Sequence, residues 1–150
     1  MTALNLGAGN RIISGAVNHD LVRHREEIDV VWDLNNLPWP WRDNQFEFIC
    51  ARSIFEHLNI SLLQAVDECW RIILPNGRAE IKLPYWNHEE TWNDPTHRRG
   101  YGLGIFDVFD PAREKGQNHG FYTERKWHVV EVGYSNERRS SVIGILEVIK

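Results

Sequence analysis

Cysteine is scarce in this sequence, with Cys50 and Cys69 the only two. Both sit inside apolar segments. Neither has the closely spaced partner that a zinc site wants, so both read as buried free thiols. Long hydrophobic runs are missing as well: nothing approaches the ~20 apolar residues of a membrane span. No charged-then-apolar leader opens the chain, and a cytoplasmic protein without membrane contact is expected. A basic excess is also absent. Seventeen Lys and Arg stand against 21 Asp and Glu, a formal charge of −4, which gives no electrostatic reason for nucleic acid as a main partner. Internal repeats and low-complexity linkers do not occur. The 150 residues therefore read as one domain, residues 1–150, able to bury about 70% of its unfolded surface. Tryptophan, in contrast, is plentiful. Five of its seven copies fall between Trp32 and Trp86, enough for the core and for an aromatic pocket wall.

Periodicity gives the element order. Thr2 to Leu6 is a short β-prone segment followed at once by glycines. Val17 to Asp20 and Ile28 to Trp32 are two more strands, each followed or closed by an acid, Asp20 and Asp33. Pro38 and Pro40 make Leu34 to Asn44 a loop. Phe46 to Ala51 is a fourth strand. From Ile60 to Ile73, the residues Leu62, Leu63, Val66, Cys69, Trp70 and Ile73 recur at helical spacing, with Ser61 as cap and Pro75-Asn76-Gly77 as the stop. Arg78 to Leu83 alternates as a fifth strand. Pro84 to Gly120 is long, polar and aromatic, with a short helix expected near Leu103 to Phe109. Trp127 to Tyr134 and Ser141 to Ile149 form a closing antiparallel hairpin. The sum is an α/β fold: a Rossmann-like, doubly wound, mostly parallel sheet of about seven strands.

Gly7-Ala8-Gly9 directly after a strand lets the backbone turn sharply and approach a ligand. Alone it is an ordinary turn. Asp20 and Asp33 then follow at strand ends, where open α/β sheets bind ligands and an acid can accept ribose hydroxyls. The ordered set of strand-glycine, strand-acid and strand-acid is much harder to reach by accident.

With these residues in place, the sequence closely resembles the class I S-adenosylmethionine-dependent methyltransferases, in particular a small type 11-like subgroup. The resemblance runs through Leu4-Asn5-Leu6-Gly7-Ala8-Gly9-Asn10, Asp33-Leu34-Asn35, Leu37-Pro38-Trp39-Pro40 and Asp43-Asn44-Gln45-Phe46-Glu47. It continues through Ser53-Ile54-Phe55-Glu56-His57-Leu58 and Glu68-Cys69-Trp70-Arg71-Ile72-Ile73-Leu74-Pro75-Asn76-Gly77, covering about residues 4 to 85. It implies that Leu6, Gly7, Ala8 and Gly9 pass under the methionine and ribose of S-adenosylmethionine. It implies that Asp20 holds the ribose hydroxyls, that Asp33 and Leu34 flank the adenine, and that Ala51, Arg52 and Ser53 face the methionine. His57 is implied to be structural or at the pocket edge. There are departures. Asn5 stands for the usual acid two residues before the first glycine, and Asn10 for a third glycine. Gly9 and Asp20 are only eleven positions apart, leaving no room for the usual first helix. The family's N-terminal helical cap is also expected to be lacking.

The long loop is the expected substrate side. Methyl transfer depends mostly on alignment, with a base for an oxygen or nitrogen acceptor. His88, His97 and Asp94 are the candidate catalytic residues. Tyr85, Trp86, Arg98 and Arg99 are the candidate substrate contacts, the arginines for a phosphate or carboxylate. A metal held by His88, Glu89, Asp94, His97 and His119 matches no ligand spacing, and no metal is expected. The function expected is methyl transfer from S-adenosylmethionine to a small-molecule or glycan-like acceptor, leaving S-adenosylhomocysteine, with a homo-oligomer open. The alternative is a non-catalytic cofactor-binding module or partner subunit. A Rossmann oxidoreductase is weaker, because the glycines and helix that hold a pyrophosphate are missing.

Overall fold

The computed structural model describes residues 1–150. Seven strands form one sheet: β1 (Ala3–Leu6), β2 (Ala16–Asp20), β3 (Val30–Val31), β4 (Phe46–Arg52), β5 (Ile73–Pro84), β6 (Lys126–Tyr134) and β7 (Ser141–Ile149). Their spatial order is β3-β2-β1-β4-β5-β7-β6. The first five strands are mutually parallel, whereas β7 runs antiparallel to both of its neighbours. The expected α/β class and mixed, mostly parallel sheet are thus present. The closing hairpin is folded inward, however: its second strand, β7, is the inner one and β6 forms the edge.

Helix α1 (Leu62–Ile72) connects β4 to β5. The Ser61 hydroxyl accepts the Gln64 amide while the Gln64 side chain accepts the Ser61 amide, a reciprocal cap worth about 1 kcal/mol. Leu62, Ala65, Val66, Cys69 and Ile72 make its buried stripe, and fully burying each large aliphatic side chain contributes about 1.5–3 kcal/mol. Arg71 leaves the other side of the helix and binds Glu68, Asp43 and the carbonyls of Trp39 and Trp41. One guanidinium thereby fixes the proline-containing loop against the helix, with Trp39 and Trp41 turned into the core.

Three element boundaries differ from the sequence expectation. β3 has two residues rather than five, because only His19–Val30 and Asp20–Val31 pair. β5 starts at Ile73, directly after α1, because Ile73 already pairs with Phe46, and Pro75-Asn76-Gly77 lie in the irregularity before Arg78 pairs with Phe48. The helix expected at Leu103 to Phe109 is only a 3-10 turn at Asp107–Phe109. Two short helices went unanticipated, α2 (Glu89–Asn93) and α3 (Glu114–His119).

The two faces of the sheet are unlike. Leu4, Leu6, Ile49, Ala51, Ala79, Ile81, Val142 and Leu146 share one face and one apolar cluster with α1, Phe106 and Phe109. Gly144 lies in that face because a Cβ there would stand 2.5 Å from the Phe106 ring. The opposite face carries the cross-strand row Asn18, Asn5, Cys50, Glu80 and Ile145. None of these belongs to the apolar cluster. Polar pairing takes the place of a helix there: Asn5 donates to Asn18 and to the Arg11 carbonyl, and Arg52 pairs with Glu80.

Candidate functional site

The carboxyl ends of β1, β2 and β4 meet at the glycine loop. Gly7 and Gly9 both have positive φ, +62° and +51°, a region that strains side chains with a Cβ. A Cβ on Gly7 would lie 2.8 Å from the Ile54 side chain, whereas one on Gly9 would meet nothing within 4 Å. Gly7 is therefore needed for close packing and Gly9 for an open approach. Asp20 secures the loop: one carboxylate oxygen accepts the Gly9 amide at 2.7 Å and the other accepts the Leu21 amide at 2.7 Å. Each oxygen keeps a further lone pair. His19 acts beneath it. Its Nδ1 accepts the Gly7 amide at 3.3 Å, and its Nε2–H donates to the Trp32 carbonyl at 2.9 Å. Burial lowers the His19 pKa, partly countered by the bond to Trp32. Neutral His19 thus joins the ends of three strands, a role that sequence reasoning missed. A cavity of about 450 Å³ opens here, lined by Asn5, Gly7, Asn10, Arg11, Arg52 and Ser53.

Ser53 also borders a second cavity, of about 730 Å³, on the side of β5. Its floor is a cluster around Glu56, from the 3-10 turn Phe55–His57. Phe55 and Leu58 are buried in the core, which pulls Glu56 in between them to 1% exposure. Its backbone carbonyl accepts the Arg98 amide. One carboxylate oxygen lies 3.9 Å from His57 Nε2 and 3.8 Å from His97 Nε2, and the other has no hydrogen-bond partner. Burial raises the Glu56 pKa to about 7. His97 Nε2 is also 3.6 Å from Asp94. The Thr96 hydroxyl and amide both donate to Asp94, which holds its pKa below the usual carboxylate range.

Of the expected catalytic residues, the structure brings His97 and Asp94 together in this cavity and leaves His88 apart. His88 caps α2, its Nδ1 accepting the Glu90 amide. His57 belongs to the cluster, and Glu56, not singled out from the sequence, is its centre. Among the expected cofactor contacts, Leu6, Ala8, Leu34 and Ala51 bury their side chains in the protein, so only their backbones face the strand ends. Asp33 turns back on its own loop to accept the Asn35 amide. Arg52 pairs with Glu80, which raises its pKa. Tyr85 packs edge-on against Tyr134 and Trp86, while Trp86 is exposed. Arg98 is exposed and Arg99 half-buried.

Residues 8–81 match the family model described as a methyltransferase domain. No curated protein matches the chain at a significant level. Among solved structures, the chain is similar to one from the Haloferax volcanii complex of the Trm112 methyltransferase activator with a methyltransferase. That match is 13% identical, covers 99% of this chain and 83% of that one, and has a TM-score of 0.67. A methyltransferase from Aquifex aeolicus is 15% identical over 99% and 82% of the two chains, at a TM-score of 0.63. Another from Archaeoglobus fulgidus is 12% identical over 97% and 85%, at 0.61.

Proposed function

We propose, for a chain that belongs to the class I S-adenosylmethionine-dependent methyltransferase family, that it binds its cofactor across the ends of β1, β2 and β4 and methylates a small-molecule or glycan-like acceptor. The observation that carries this reading is the glycine loop pinned by Asp20. The residues present fit the cofactor: the open Gly9 backbone leaves room for an approach, and the free lone pairs of Asp20 can accept from two ribose hydroxyls. When bound, the cofactor supplies a methyl group made electrophilic by its sulfonium. The protein's own part is alignment. Ser53, at the border of both cavities, marks where the methyl group and the acceptor would meet. Tyr85, Trp86 and the Arg98–Arg99 pair do not line the second cavity and are the acceptor contacts of this reading from outside it, while His57 and His97 line the cavity itself.

Calorimetric titration with S-adenosylhomocysteine tests the reading. Binding is expected in wild type, weakened in Asp20→Asn. No heat at millimolar ligand would overturn it.

The sheet face without a helix favours a second reading, a cofactor-binding subunit that works only with a partner. One of the similar structures is held in complex with a methyltransferase activator. Cofactor binding without turnover on a broad acceptor panel, and activity restored by a partner, would select this reading over the first.

A further inference from the structure

Hydrogen bonds fix the tautomers of both imidazoles beside Glu56. His97 Nδ1 lies 2.8 Å from the Thr91 carbonyl, which can only accept, so Nδ1 carries a proton and Nε2 is the bare nitrogen of the neutral ring. His57 Nδ1 lies 2.7 Å from the Thr96 hydroxyl. That hydroxyl spends its one proton on Asp94, at 2.6 Å, so it must accept from His57. His57 Nε2 is therefore bare as well. Two imidazole lone pairs and a buried carboxylate thus face one another, with all three ligand atoms within 4.8 Å. Separations of 3.8 and 3.9 Å are too long for hydrogen bonds, yet suit donors that share an ion about 2.0–2.2 Å from each. The other Glu56 oxygen is buried without a partner, so nothing in the protein compensates a charge on this carboxylate by hydrogen bonding.

We propose that Glu56, His57 and His97 hold a divalent first-row transition cation, with Zn²⁺ as the leading candidate. Two imidazoles and one carboxylate suit such ions better than Mg²⁺ or Ca²⁺, which want oxygen ligands. The Thr91 carbonyl and the Thr96–Asp94 pair then serve as the outer partners that orient the two rings, as metal-binding histidines require. Three protein ligands leave a coordination position open toward the second cavity. Resting on the methyl-transfer reading above, that position takes an oxygen of the acceptor, which the ion would acidify beside the cofactor's methyl group. No metal was expected from the sequence, and the ligand set differs from the one set aside there: it omits His88, Glu89, Asp94 and His119, the last stacked on Tyr122, and rests on adjacent Glu56 and His57 with His97 from forty positions on.

The test uses the full chain stripped with a chelator and titrated with Co²⁺, whose visible absorption reports imidazole and carboxylate ligation, followed by Zn²⁺ competition. One equivalent of Co²⁺ is expected to bind and to be displaced by Zn²⁺. Glu56→Gln and His97→Gln should each weaken binding by at least about tenfold, and His119→Ala should leave it unchanged. Thr96→Val, which keeps all three ligands and removes the hydroxyl that joins the His57 ring to Asp94, should weaken it by about 10-fold or more. That variant covers the case in which a ligand substitution fails to fold. No absorption change at millimolar Co²⁺, or binding that survives both Glu56→Gln and His97→Gln, would overturn the site. S-Adenosylhomocysteine titrated into the same stripped protein is read separately. Heat from it without Co²⁺ binding sinks the metal site alone, and Co²⁺ binding without that heat sinks the cofactor reading and the acceptor role of the ion with it.

Discussion

The glycine loop and the Glu56 cluster flank Ser53 at the same end of the same sheet, yet they are built in opposite ways. In the loop, backbone amides meet side-chain acceptors: Asp20 takes Gly9, and His19 takes Gly7. In the cluster, acceptors face acceptors: two bare imidazole nitrogens and a carboxylate with an orphaned oxygen. A buried polar group without a partner costs roughly 1–3 kcal/mol, more when charged. The first region is finished by its own chain. The second is finished only by something that brings positive charge, whether a proton or a metal ion.

The largest expected effect breaks the finished side. Gly7→Ala combines a positive φ with a contact on Ile54 that must give way, and should cost on the order of 3 kcal/mol. Denaturant unfolding measures this, and a loss no greater than at an ordinary surface site would show that the loop is not held as described.

Next comes a gain on the unfinished side. With its pKa moved from 4.5 to about 7, Glu56 gives a stability contribution that is full below pH 4.5 and is lost as pH rises through about 7. His57, His97, Asp94, Lys82 and Tyr101 are the charged or titratable groups around it. In chelated protein at pH 8, Glu56→Gln removes a buried charge and lets a carboxamide N–H donate to an imidazole. It should stabilise by about 2 kcal/mol, read from a melting curve. A destabilised variant would mean that the carboxylate is already compensated.

Asp20→Asn has a smaller effect: its single amide oxygen can still accept the Gly9 amide, while the bond to the Leu21 amide and the charge are lost. S-Adenosylhomocysteine affinity should fall about tenfold, or about 1.4 kcal/mol. The smallest effect is a slope. Because burial lowers the His19 pKa from 6.5, its stability contribution is present above pH 6.5 and is lost as pH falls below it. The two regions should thus weaken in opposite pH directions, and His19→Gln should flatten the acid-side slope only.

Much of the fold was legible because its signals are local. The alternation in β5, the stripe and cap of α1 and the apolar runs of β6 and β7 all lie within single segments. Helices α2 and α3 were not, because tertiary context makes them. Each buries a single residue, Thr91 and Gly116, and Gly116 sits so close to the Asp110 carbonyl that a Cβ would stand 1.9 Å from it. The same contrast holds at the site. Gly7, Gly9 and Asp20 announce themselves by residue type at strand ends. Glu56 is one acid among 21 acidic residues, and its surroundings depend on Arg98 and His97 arriving from far along the chain. Its one local sign is a charged residue inside Ile54-Phe55-Glu56-His57-Leu58, a run otherwise largely apolar.

The placement of β7 between β5 and β6 also bears on synthesis at the ribosome. β6 is made first, but its only strand neighbour is β7, and the free edge of β5 waits for the same strand. Until β7 emerges, a nascent chain with β1 to β5 already paired presents an open parallel edge at Arg78 to Pro84. Such an edge invites pairing with another chain. Arg78, Glu80 and Lys82 along it place charge on every second position, a gatekeeping pattern that would hold the edge apart from other chains until its own last strand arrives.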